Sequence, residues 1–168
     1  MSQENRAGIA ILALGNFMRT DDGVGIHAVR RLAESGRIPP GVEVIEGGTL
    51  GLDLLPRIEG LSHLLAIDAV DFGAQPGTLC SFAGQELLTL PAGKSVHLLG
   101  FSDLLGALQL LGRAPHEVVL LGVQPQSTGW GVTLSPSVAA VLDDLLETAL
   151  SEIAGWAQSE PSVAISKA

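Results

Sequence analysis

Cysteine, basic charge and long apolar runs are all scarce in this chain. Cys80 is the single cysteine among 168 residues. An intramolecular disulfide and a cysteine-built zinc cluster are therefore excluded, which suits a reducing compartment. Basic residues number 9 against 18 acidic ones, for a net charge of −9. Nucleic acid and anionic membrane surfaces both need a basic face, so neither is expected as a partner. Residues 1–8 are polar, and the apolar run at 9–14 is too short for a signal-peptide core or a membrane span. The expectation is a soluble, cytoplasmic protein.

Several motifs that would assign a function are also missing. "GKS" at 93–95 has the ending of a phosphate-binding loop, but Leu88 stands where that motif needs its first glycine. A dinucleotide fingerprint would need G-x-G-x-x-G directly after the first strand. Here Gly15 is followed by Asn16 and Phe17, and Gly23 and Gly25 come too late. No G-x-S-x-G elbow occurs. Cys80 lies mid-strand with no base near it in sequence and reads as a small buried thiol.

What is present is a core. Apolar residues make up 46% of the chain and charged residues 16%, and a domain of about 150 residues buries roughly 68–70% of its unfolded surface. One domain over 1–168 is expected, with its core at about 8–155 and a loose tail at 157–168. "IAILAL" (9–14), "HLLAIDAV" (63–70) and "EVVLLGV" (117–123) are continuously apolar, as strands buried on both faces of a parallel sheet are. "VEVIEGG" (42–48) alternates, and "GTLCSFAG" (77–84) has the composition of an edge strand.

Helical spacing runs over 23–35, with Gly36 placed as a C-terminal stop, and again over 97–111. A last helix begins with Ser135 as N-cap and Pro136 as first residue, its stripe reaching Ile153. A short turn after Thr49 should end by Leu55, ahead of Pro56. Strand and helix alternate throughout. The class is α/β: a three-layer α/β/α sandwich with a twisted, mainly parallel sheet of about five strands.

In such sheets ligands bind beyond the carboxyl ends of the strands. Those ends deliver Asn16, Asp21 and Asp22, then Glu46 with Gly47 and Gly48, then Asp68 and Asp71, and finally Ser95 and His97. Asp68 interrupts an apolar run, where an unpaired carboxylate would be costly. It either caps the strand-end turn or serves as a ligand or acid/base group on the cleft floor. His97 opens a helix, where the dipole favours the neutral, metal-binding ring; the alternative is a histidine that packs or bonds a carbonyl. His27 reads as structural or peripheral, and His63 and His116 as solvated loop residues.

One aspartate of the pair at 21–22 caps the following helix. The other, if it faces Asp68, would share mutual repulsion that raises both pKa values and that a divalent cation relieves. Two oxygens and a nitrogen suit zinc, nickel or manganese better than calcium.

The chain resembles the nickel–iron hydrogenase maturation endopeptidases over about residues 8–150. The resemblance rests on "LGNFMRTDDGVG", "VIEGGTLGLDLL", "LLAIDAVDFGAQPGTL", "SVHLLGFSDLLGAL", "LLGVQP" and "LSPSVAAVL". It implies the α/β/α fold and removal of a C-terminal extension from the nickel-loaded precursor of the hydrogenase large subunit. It also implies a catalytic and metal-binding trio on Asp22, Asp68 and His97. Asp21 then caps or supports the loop, and Glu46 is a substrate-binding residue behind the trio. The implied nickel is carried by the precursor, while zinc or another divalent ion can occupy the site in vitro. The glycines at 23 and 25 would leave room for a substrate peptide. The main alternative is a non-catalytic metal-binding assembly factor for the same precursor.

Overall fold

The computed structural model describes residues 8–90 and 96–159. Its centre is a five-stranded sheet of β1 (Ile9–Leu14), β2 (Val42–Gly48), β3 (His63–Ala69), β4 (Leu79–Ala83) and β5 (Glu117–Val123). The spatial order is β2-β1-β3-β5-β4, with four strands parallel and β4 antiparallel at one edge. The unbroken apolar runs follow from helices on both faces. In β1, Ile9, Ile11 and Ala13 enter one core, and Ala10, Leu12 and Leu14 enter the other.

The first face is covered by α1 (Val24–Ser35), α5 (Pro136–Ala139) and α6 (Leu142–Ser159). The second carries α2 (Leu55–Ile58), α3 (Glu86–Thr89) and α4 (Val96–Leu110). The expected three-layer α/β/α sandwich is thus the observed fold. Gly36 ends α1 in the left-handed conformation, φ 67°. Among the described residues no helix is long and apolar enough to cross a membrane.

Three local expectations need correction. The turn after Thr49 does not stop at Leu55: Pro56 sits in the first turn of α2, where its missing N–H has no helical partner to lose. The last helix is two pieces, divided where the Val141 N–H bonds the Val138 carbonyl in a tightened turn. Residues 157–159 belong to α6 and not to a tail, while 160–168 lie outside the described residues. Short α3 lies in a stretch whose sequence carries no helical spacing. The "GKS" stretch, Ser95 included, also lies outside the described residues.

Candidate functional site

Beyond the carboxyl ends of β1 and β3, the chain after Leu14 turns sharply and Gly15 adopts φ 114°, a region open to glycine. The turn is crowded: a Cβ on Gly15 would stand 1.9 Å from the Asp22 carbonyl oxygen and 3.4 Å from Asp68 Oδ1. Only a residue without a side chain lets the Asp22 carbonyl approach so closely, and the Asp68 carboxylate lies next to the same turn. The Gly15 N–H donates to the Gly48 carbonyl at 2.9 Å, joining this turn to the end of β2.

The loop then folds on itself. The Asn16 N–H donates to Asp22 Oδ2 at 2.9 Å, and Asn16 Oδ1 accepts from the Met18 N–H at 2.9 Å. The same Asp22 oxygen lies 2.8 Å from His97 Nε2, in the first turn of α4. Asp68 is fully buried at the end of β3, and its Oδ1 accepts from the Ala69 N–H at 2.8 Å. The structure therefore brings Asp22, Asp68 and His97 to one place, from three separate elements.

The protonation pattern differs from the sequence expectation. Burial penalises the charged form of Asp22. Hydrogen bonds with His97 and the Asn16 N–H, with the charges of His97 and Arg19, outweigh it and hold the pKa below 3.8. The hydrogen bond to Asp22 lifts the His97 pKa above 6.5 against the opposing effect of burial, with help from the charges of Asp68 and Asp22. Mutual repulsion does not dominate at Asp22, and the helix start does not dominate at His97, because the two groups bond each other directly.

Among the described residues no group of three or more His, Cys, Asp and Glu side chains stands ready-arranged as a metal cluster. His97 Nε2 and Asp22 Oδ2 bond each other at 2.8 Å. Their chemistry nevertheless fits a borderline divalent ion once that bond opens, with one imidazole nitrogen and carboxylate oxygens as donors.

The neighbouring aspartate does something else. Asp21 is fully buried and caps neither the 3-10 turn at 20–23 nor α1. Its Oδ2 accepts from the N–H groups of Gln126 and Ser127 at 2.9 and 3.0 Å and from Ser135 Oγ at 2.7 Å. Its Oδ1 accepts from the Ser135 N–H at 2.8 Å. Ser135 occupies the N-cap position of α5, but its hydroxyl serves Asp21 and not the helix. Asp21 is the clamp that fastens the loop after β5 to the loop after β1.

Gly23 and Gly25 leave no room for a peptide. A Cβ on Gly25 would meet the Ile67 and Leu14 carbonyl oxygens at 2.4 and 2.6 Å. These glycines let α1 start directly against the strand ends. Glu46 turns away to α1, where Arg30 Nε and Nη2 donate to its two carboxylate oxygens at 2.8 and 3.0 Å. His63 is not solvated: it is half-buried, with Nδ1 2.9 Å from Ser62 Oγ and its ring 5.0 Å from that of Trp156. His27 packs on Phe17 at 4.9 Å, and burial lowers its pKa, as a structural residue would. Cys80 is half-buried in β4, and desolvation pushes its thiol up to about 11, so it is no nucleophile.

Sequence reasoning missed Gln124. Its Oε1 accepts from the N–H groups of Phe72 and Ala74 at 2.9 and 3.2 Å, and its Nε2 donates to Asp71 Oδ1 at 3.1 Å. It shapes the loop that follows Asp68. A polar residue closing the apolar strand "VVLLGV" was the available signal.

Comparison with known proteins bears on what this arrangement does. A family model described as hydrogenase maturation protease matches residues 26–152, beginning just after Asp22 and including Asp68 and His97. The chain is 36% identical over 151 residues to the hydrogenase expression/formation protein HupD of Rhodobacter capsulatus, covering 88% of this chain and 72% of that one. It is 35% identical over 147 residues to the hydrogenase 2 maturation protease of Escherichia coli, covering 86% and 90%. Among solved structures, the Escherichia coli hydrogenase maturating endopeptidase HybD superposes with a TM-score of 0.82 at 33% identity, over 88% of this chain and 93% of that one.

Proposed function

Because the chain belongs to the hydrogenase maturation protease family, we propose that its trio of Asp22, Asp68 and His97 cuts a C-terminal extension from the nickel-loaded precursor of a nickel–iron hydrogenase large subunit. The observation that carries this reading is the 2.8 Å contact of Asp22 with His97, beside the buried Asp68 carboxylate, at a turn where the Asp22 carbonyl leaves room only for a glycine at 15. The nickel arrives with the precursor as part of the substrate. It would polarise the scissile carbonyl or hold the peptide in place.

The chain's own residues do the rest. His97 would release its Nε2 proton to solvent as its hydrogen bond to Asp22 opens, leaving Nε2 and Oδ2 able to face the incoming metal. Asp22 and Asp68 supply carboxylates able to take a proton from the attacking water. Hydrolysis then places the hydroxyl on the carbonyl carbon and a proton on the departing nitrogen. Glu46, fixed by Arg30, is assigned to the substrate side and not to the trio. The reaction belongs in the cytoplasm, where an unpaired cysteine such as Cys80 stays reduced.

The test is to incubate the protein with nickel-loaded precursor and weigh the precursor. Loss of a short C-terminal peptide is expected. An intact precursor held in a stable complex would overturn the protease reading in favour of an assembly factor.

A further inference from the structure

The trio is nearly closed to solvent. The side chains of His97 and Asp22 are 11% and 17% exposed, and Asp68 is fully buried. A site so recessed offers little surface to grip a protein substrate, so the grip must come from what surrounds it.

Beside it the surface changes character. Trp130 is 77% exposed and Met18 54%, with Val132 close behind in exposure. These residues stand on the two loops that Asp21 clamps together. The Gly131 N–H donates to the Met18 carbonyl at 2.9 Å, the Thr20 N–H donates to the Gly131 carbonyl at 2.7 Å, and the Arg19 guanidinium lies 5.1 Å from the centre of the Trp130 ring. Thr20 is held at φ 43°, a region that β-branched residues avoid. Its hydroxyl donates to the Ser127 carbonyl at 2.6 Å, so the strained position is secured from both loops. The exposed tryptophan therefore sits on a rigid mount and not on a loose loop.

The lip is continuous with the site. Met18, Asn16 and Asp22 are joined by backbone and side-chain hydrogen bonds within one loop. A second exposed apolar pair, Leu50 and Leu52, stands in the loop after β2. That loop is tied to Gly15 through Gly48 and rests on α4 where Gly51 meets Gly100, about one helical turn past His97.

We propose that the lip of Met18, Arg19, Trp130 and Val132 is the docking anchor for the hydrogenase large-subunit precursor. It receives an apolar segment of that protein flanking the bond to be cut, with Trp130 as the central contact. Exposed Trp, Met and Arg are the residue types that concentrate binding energy in protein interfaces. A rigid aromatic mount loses little conformational freedom on binding. This assignment rests on the functional reading above, because the occupant is that reading's substrate.

The experiment measures initial rates of precursor cleavage, over a range of nickel-loaded precursor concentrations, for wild type, Trp130→Ser, Met18→Ser and Leu110→Ser. Leu110 is 91% exposed on α4 and serves as a matched apolar control. Trp130→Ser should raise KM about tenfold or more while kcat changes less than about twofold, a split expected when a central contact is truncated. Met18→Ser should shift KM in the same direction by less, and Leu110→Ser should leave both constants unchanged. Circular dichroism verifies that each variant is folded. An unchanged KM in Trp130→Ser and Met18→Ser overturns the proposal while leaving the protease reading intact. So does a wild-type homodimer in sedimentation that Trp130→Ser dissociates, since the lip would then be covered by a second copy. A wild-type protein that neither binds nor cuts the precursor overturns the functional reading, and the docking assignment with it.

Discussion

Asp22 Oδ2 and His97 Nε2 meet at 2.8 Å across 75 positions of chain, while Asp21, next to Asp22, spends its carboxylate on Gln126, Ser127 and Ser135. Two adjacent aspartates thus face opposite ways. One enters the cleft and the other ties the cleft's walls together.

The Asp22–His97 pair gives the protein a defined pH signature. Asp22 is held below its ordinary 3.8, so its contribution to stability is present above that value and is lost as pH falls through the lowered pKa. His97 is held above 6.5, so its contribution is complete below 6.5 and is lost as pH rises through the raised pKa. The pair stabilises the fold most between those two ordinary values. In metal-free protein the His97 ring should titrate above 6.5 by NMR and move down in Asp22→Asn. The stability gap between the two proteins should narrow as pH rises past the wild-type His97 midpoint. A ring that titrates identically in both proteins would refute the pairing.

Replacement of the trio should separate activity from folding. Asp22→Asn, Asp68→Asn and His97→Ala should each slow precursor processing by about 10²–10⁴-fold, the scale of a lost acid–base group. His27→Ala should process at close to the normal rate, and so should His63→Ala, whose loss of the Trp156 contact costs about 1 kcal/mol of stability. Processing rates read beside urea unfolding check both halves. Normal processing by Asp68→Asn would remove that residue from the site.

Stability should respond at two positions that touch no substrate. Gly25→Ala forces a methyl against the Ile67 and Leu14 carbonyls, and overpacking of this kind costs about 1–3 kcal/mol. Asp21→Ala removes the buried acceptor shared by the part-buried donors of Gln126, Ser127 and Ser135, a loss of about 1–3 kcal/mol. Glu46→Ala removes only an exposed ion pair with Arg30, worth about 0–1 kcal/mol. Urea midpoints should fall further in Gly25→Ala and Asp21→Ala than in Glu46→Ala.

Much of this was legible in the chain because it is locally encoded. Continuous apolar runs marked β1, β3 and β5, since burial on both sheet faces demands them residue by residue, while the alternation of β2 and the edge composition of β4 marked the other two. Helical spacing found α1 and α4, and Gly36 marked where α1 stops. Strand ends and a helix start delivered a wider set of polar residues, and the family resemblance picked Asp22, Asp68 and His97 out of it. What the chain could not disclose depends on partners distant in sequence. Whether Ser135 caps a helix or serves Asp21 is set by a contact across 114 positions. Whether Gly25 makes space or fills a tight approach is set by carbonyls of two strands. Arg30 fixes the Glu46 carboxylate from α1, and Trp130 comes next to Met18 only because the loop after β5 bonds the loop after β1. Local sequence determines which residues can be helix, strand or turn. Tertiary packing alone decides which polar group answers which, because a hydrogen bond or a close approach needs both of its members in place.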